Sequence, residues 1–134
     1  SAEVDGFIAS GLCESLAAVN GVTFAKQGMT ARNSPYYKGT TAAGEVWWIY
    51  HDDDCAASDD GTPKWILGNS VLHPDRQVDL DHDNRCYYRA YIESAGLGIE
   101  SPPLHSTWKM VCNYVWTHRD LTLSEITSTA TSTS

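Results

Sequence analysis

The chain has 134 residues and a formal net charge of −8, from seventeen acidic and nine basic side chains. This length fits one domain with a buried core, and the acidic surface disfavours binding to nucleic acid or to anionic lipid. The sequence holds no apolar run long enough to span a bilayer, so we expect no membrane insertion.

Short runs of β-branched and aromatic residues between turn signals predict an all-β fold. The first predicted strand, 22–26, follows the turn pair Asn20-Gly21, and others are predicted at 46–50, 64–67, 87–92, 107–117 and 121–126. The segment 10–19 is ambiguous, because Ser10 can cap a short helix whereas Gly11 weakens one. With no clear amphipathic helix, these elements predict a small antiparallel sandwich or barrel.

The strand predicted at 107–117 rests on an alternation with period two. Its first face is expected to carry five large or apolar residues, namely Trp108, Met110, Cys112, Tyr114 and Trp116. Such a pattern is typical of a strand with one face in the core.

The C-terminal residues 127–134 read Thr-Ser-Thr-Ala-Thr-Ser-Thr-Ser, a composition typical of O-glycosylated stalks and linkers. We therefore predict a domain over 1–126 and a Ser/Thr-rich tail or linker over 127–134. The sequence has no Asn-x-Ser/Thr acceptor site. Glycans are accordingly expected on Thr127, Ser128, Thr129, Thr131, Ser132 and Thr133.

Four cysteines occur without Cys-x-x-Cys spacing, which favours two disulfides and an oxidising, extracellular compartment over a metal ribbon. Four cysteines allow three connectivities, and spacing alone does not choose among them. We predict the nested pairs Cys13–Cys112, which would join the two ends of the domain, and Cys55–Cys86, which would fix its acidic middle.

An acidic loop offers the clearest metal-ligand pattern. Asp79, Asp81 and Asp83 alternate along it and Asn84 follows, so their oxygens can surround one Ca²⁺ ion. The loop departs from a helix-loop-helix calcium site, because Asn84 replaces the turn glycine and Ala90 stands where a bidentate Glu is expected. Calcium is thus the predicted cofactor, and a solvated loop rich in turn-capping residues is the alternative.

The aromatic residues are weighted toward rings with a polar edge, since five tryptophans and seven tyrosines accompany two phenylalanines. Such rings suit binding surfaces that are half apolar and half wet. Tyr36-Tyr37 and Trp47-Trp48 are adjacent pairs, so in a strand one ring of each pair faces away from its neighbour. These four residues are the predicted glycan-binding platform, and a core on both faces of the sheet is the alternative.

No catalytic residues are predicted. The sequence contains no Gly-x-Ser-x-Gly elbow, no His-Glu-x-x-His motif and no phosphate-binding glycine loop. A small hydrolase would require a cleft that joins a His or a Glu to an activating partner, which sequence does not reveal. We therefore expect a protein that is not an enzyme.

The order of several short motifs carries a resemblance across residues 20–116. They are Asn20-Gly21, Tyr36-Tyr37-Lys38, Trp47-Trp48-Ile49-Tyr50, the segment 63–68, the segment 101–104 and Thr107-Trp108. This order resembles small, disulfide-containing, Trp- and Tyr-rich modules linked by Ser/Thr stretches in extracellular surface proteins of single-celled eukaryotes. The resemblance implies a secreted, modular protein and carries no site residues with it.

Two functions follow as expectations. The first is a structural or adhesive module of an extracellular matrix, surface protein or fibre, whose partners are like subunits or other extracellular proteins. The second is a carbohydrate-binding module, dependent on calcium, that uses the aromatic platform and the acidic loop. Exposure of the rings would favour the second function, and burial of the rings would favour the first.

Overall fold

The computed structural model describes residues 2–55, 62–83, 85, 88–94 and 97–129. A short 3-10 helix, Glu14–Val19, lies between the first two of eight strands. The strands are β1 Ala2–Ser10, β2 Thr23–Met29, β3 Pro35–Thr40, β4 Val46–Asp52, β5 Lys64–Gly68, β6 Ala90–Glu93, β7 His105–Cys112 and β8 Val115–Thr129.

The eight strands form one closed antiparallel barrel, in which each strand pairs with the next and β8 closes on β1. The closing seam is long, since Ala2 pairs with Thr129 and Ser10 pairs with Thr122. The prediction of a disulfide-stapled antiparallel sandwich or barrel is therefore confirmed, and the barrel is the form adopted. In the described part of the chain, no helix is both long and apolar enough to cross a membrane.

Large side chains fill the inside of the barrel. Phe7, Phe24, Trp65 and Trp108 are fully buried there, and smaller apolar residues of β1, β4, β5, β7 and β8 fill the space between them. An eight-stranded barrel has an interior that side chains can just fill. The inside of this barrel is accordingly a packed core.

A second apolar cluster covers part of the outside of the barrel. Tyr50 and Ile66 project outward from β4 and β5 and pack against Leu72 and Leu80 of the β5–β6 connection. Every residue of β5 is buried as a result. This double burial explains why the segment 64–68 reads as a continuous apolar run rather than an alternating one.

The predicted bond between Cys13 and Cys112 is present, with a Cα–Cα distance of 6.0 Å. It links the start of the 3-10 helix to the end of β7, at the end of the barrel that this helix covers. Cys55 is also disulfide-bonded, whereas its predicted partner Cys86 lies outside the described residues.

The prediction of a single strand over 107–117 is wrong, because the chain reverses direction within this range. Asn113 and Tyr114 have φ angles of 53° and 66°, and they form the two-residue turn between β7 and β8. Trp108, Met110 and Cys112 are buried as expected, but Tyr114 and Trp116 are exposed. The ambiguous segment 10–19 contains the end of β1 and the 3-10 helix, which begins after Cys13.

Strand β8 continues beyond residue 126, where the tail was predicted to begin. Thr127 pairs with Val4 of β1, and its side chain is exposed. Ser128 and Thr129 also belong to β8, whereas Thr131, Ser132 and Thr133 lie outside the described residues. The first part of the predicted glycosylation segment is thus a strand of the barrel.

Candidate functional site

The acidic loop brings three of its four predicted calcium ligands together. One carboxylate oxygen from each of Asp79, Asp81 and Asp83 lies within 4.8 Å of the others. The fourth predicted ligand, Asn84, lies outside the described residues. Positive φ angles at Asp79 and His82 fold the chain tightly enough for alternate side chains to converge.

Asp52 at the end of β4 holds this loop in place. Its carboxylate accepts hydrogen bonds from the backbone N–H groups of Asp54, Asp79 and Leu80 at 3.1, 3.1 and 2.9 Å. Burial nevertheless dominates and raises the pKa of Asp52 to about 6. Asp52 therefore acts as a support for the loop, because its oxygens are already committed to backbone donors.

The three converging carboxylates destabilise one another's negatively charged forms. Burial, followed by hydrogen bonds with Asp83 and Asp79, raises the pKa of Asp81 to about 8. The pKa of the buried Tyr50 is raised by burial and then by the charge of Asp81. A divalent cation would remove this repulsion by replacing the proton, and carboxylate oxygen is the ligand that Ca²⁺ prefers.

The four residues of the predicted aromatic platform divide between the inside and the outside of the barrel. Tyr37 and Trp47 are in the interior core, 3% and 4% exposed. Tyr36 and Trp48 are half-buried on the outside, with ring centroids 6.3 Å apart, and Lys38 Nζ lies 5.6 Å from the Trp48 ring centroid. Alternation along β3 and β4 explains this division.

Among the residues that the structure describes, the most exposed aromatic side chains lie elsewhere, on a segment that we call the aromatic hairpin, residues 113–116. Tyr114, Val115 and Trp116 are 99%, 62% and 43% exposed. The indole of Trp116 meets the rings of Tyr88 and Tyr91 edge to face, with centroids 5.9 and 5.4 Å apart. The alternation in the sequence predicts Tyr114 and Trp116 on the core-facing side of a single strand, and only Asn113, a residue that tolerates positive φ, indicates the turn.

A cleft of about 370 Å³ lies beside this hairpin, at the end of the barrel that the 3-10 helix covers. We call it the mouth cleft. Its lining combines apolar, amide, hydroxyl and charged side chains: Ser15, Leu16, Glu45, Trp47, Asn69, Arg89, Val111, Asn113 and Tyr114. The mouths of β-barrels are frequent sites of small-molecule binding.

A serine, a histidine and an aspartate lie in line at the opposite end of the barrel. Ser94 Oγ is 2.8 Å from His51 Nε2, and His51 Nδ1 is 3.5 Å from Asp53 Oδ1. Burial lowers the pKa of His51, and Arg32 pairs with Asp53 at 2.8 Å. Ser94 and His51 are both buried, so this order of groups lacks the open approach that a nucleophile needs in hydrolysis.

Comparison with known proteins gives no match to a protein-family model, to a curated protein or to a solved structure. The candidate sites are therefore argued from the geometry of this chain.

Proposed function

We propose that the protein is a secreted, non-catalytic structural or adhesive module of an extracellular matrix, surface protein or fibre. The observation that carries this proposal is the aromatic hairpin, which presents Tyr114, Val115 and Trp116 to solvent on an otherwise closed barrel. Exposed aromatic residues are enriched at protein–protein contacts, because they bury a large area at a small cost in conformational entropy.

The rest of the molecule suits a load-bearing or adhesive part. Its core is filled, two of its four predicted platform rings are inside that core, and a disulfide spans 99 residues. A closed barrel also has no free edge strand that would pair with other chains unselectively. In this proposal, contact with like subunits is restricted to the hairpin, and the Ser/Thr tail carries O-linked glycans.

Sedimentation velocity over a wide range of concentrations tests this assembly. We expect the wild-type sedimentation coefficient to rise with concentration, and the Val115→Ser/Trp116→Ser variant to remain a monomer. Met29→Ser is the matched control, because Met29 is an apolar residue, 47% exposed, at the end of β2 opposite the hairpin.

Circular dichroism would first establish that all three proteins are folded. A wild-type protein that stays monomeric at every concentration would contradict assembly through like subunits. So would a hairpin variant that associates as strongly as the wild type does.

Calcium binding at the acidic loop is the second candidate function, and the convergence of Asp79, Asp81 and Asp83 favours it. Three carboxylates supply up to six oxygens, and backbone carbonyls or water can complete the six to eight that Ca²⁺ takes. Titration calorimetry of Ca²⁺ into EDTA-treated protein tests the site. An absence of heat at millimolar calcium would reject it.

A further inference from the structure

We propose that the mouth cleft binds a short stretch of a neutral saccharide, with the ring of Tyr114 as its stacking surface. This inference goes beyond the proposed assembly through the aromatic hairpin, since Val115 and Trp116, the two side chains varied to test assembly, do not line the cleft. The cleft is also distinct from the predicted platform, because Trp47 is the one platform residue in its lining.

The backbone at Tyr114 is the first argument. Tyr114 occupies the second position of a two-residue hairpin turn with φ at 66°, where glycine is strongly favoured because it carries no Cβ. A bulky residue in this conformation costs about 1 kcal/mol or more. Its side chain is 99% exposed, so the ring recovers none of this cost by packing in the fold.

The chemistry of the lining is the second argument. Leu16, Trp47 and Val111 give the cleft apolar surface, and hydroxyl, carboxylate and amide groups of Ser15, Glu45, Asn69 and Asn113 surround it. A sugar has apolar C–H faces that stack on aromatic rings, and hydroxyl groups that both donate and accept hydrogen bonds. The cleft offers both kinds of contact within one space.

Several of these groups are held in place by contacts that leave further bonding capacity. The Ser15 hydroxyl accepts the backbone N–H of Asn113 at 2.7 Å, so its own proton can still be donated. Glu45 Oε1 accepts the indole N–H of Trp47 at 3.4 Å, and its other oxygen has further acceptor capacity. Side chains fixed in this way lose little entropy when a ligand binds.

Charge and size narrow the class of ligand. The lining contains one acidic and one basic side chain, Glu45 and Arg89, so the cleft carries no excess of positive charge. The whole chain is at −8, which disfavours sulfated or uronate polymers. The volume of about 370 Å³ is near the lower end of the range of small-molecule sites, which suits a few sugar units.

The test is titration with three neutral oligosaccharides of different linkage: cellohexaose, laminarihexaose and mannohexaose. Amide chemical shifts locate binding, and calorimetry measures affinity, at a protein concentration where the wild type is monomeric. We expect at least one sugar to shift the amides of Ser15, Asn69 and Asn113. Polygalacturonate serves as the anionic probe and should shift none of them.

Tyr114→Gly gives the decisive comparison, because it should separate binding from stability. We expect this variant to lose about tenfold or more in affinity while its melting temperature rises, since glycine suits the turn. Tyr114→Phe should retain binding, and Trp116→Ser, whose side chain is outside the cleft, should bind like the wild type.

The proposal would be overturned by the absence of an amide shift with any neutral probe, by unchanged affinity in Tyr114→Gly, or by binding of polygalacturonate instead. Shifts of the Ser15 and Asn69 amides, which lie outside the hairpin, on concentrating the protein without sugar would assign the cleft to a second copy of the chain, and would overturn it too. Assembly through Val115 and Trp116 is measured separately, so either proposal can fail while the other stands.

Discussion

Removal of the Cys13–Cys112 bond should strongly destabilise the protein. The bond closes a loop over a separation of 99 residues. In the chain-entropy model, a loop of about 100 residues contributes about 4.7 kcal/mol, because the crosslink restricts the unfolded chain. Small proteins have free energies of unfolding of about 5–15 kcal/mol, so the expected loss is a third or more of the total.

Urea unfolding of Cys13→Ala/Cys112→Ala measures this loss. The free energy of unfolding should fall by about 4–5 kcal/mol, and the dependence on urea should steepen, because an open unfolded chain exposes more surface. Val111→Ala is the matched control, since it removes apolar volume one residue from the bond without opening the loop. It should cost about 1–2 kcal/mol at an unchanged urea dependence.

A loss below about 1 kcal/mol, or an unchanged urea dependence in the double variant, would refute the loop argument. If the double variant is unfolded even without urea, this result agrees with the loop argument only when the wild-type free energy of unfolding is below about 5 kcal/mol. The same experiment measures that value.

Three further changes test the core and the ionisable groups. Gly6→Ala should destabilise the barrel by about 3 kcal/mol by urea unfolding, because its Cβ would overlap the carbonyl oxygen of Phe24; Gly28→Ala, with ordinary contacts only, should be near neutral. Burial lowers the pKa of His51, so the folded state binds fewer protons there than the unfolded chain does. At pH values below about 6.5, the free energy of unfolding of the wild type should therefore fall relative to that of His51→Gln. Parallel curves of this free energy against pH for the two proteins would contradict the argument. The pKa of Asp81 is raised to about 8, so the folded state holds a proton there that the unfolded chain loses, and the free energy of unfolding without metal should fall as pH rises toward 8. Asp81→Asn should remove this fall, and it should also remove any gain in melting temperature from calcium. Equal calcium-induced gains in both proteins would rule out Asp81 as a ligand.

Much of the barrel could be predicted from local sequence, because several strands carry their own signals. The runs at 46–50 and 64–67 are dense in β-branched and aromatic residues between clear breakers, and both are strands. The strand Ala2–Ser10 was not predicted, because its pairing with β8 is set by residues more than a hundred positions away.

The turn in the aromatic hairpin was not predicted, for a different reason. Period-two alternation continues across Asn113 and Tyr114, so the sequence reads as one strand where the chain reverses direction. Tyr114 stands at the turn position where glycine is usually found, so the sequence lacks the usual turn signal. The saccharide proposal explains why a tyrosine stands there. The acidic loop was found from its spacing, but the supporting role of Asp52 depends on backbone donors that no spacing reveals.

The closing seam of the barrel has a mechanical consequence. Ala2 and Thr129 are paired neighbours at the end of the barrel opposite the mouth cleft. Tension applied through these two residues peels β1 from β8 one hydrogen bond at a time. The peeling stops at Cys13, because the covalent bond to Cys112 then carries the force and residues 13–112 bear none of it. As long as the disulfide is intact, such tension can extend only residues 2–13 and 112–129.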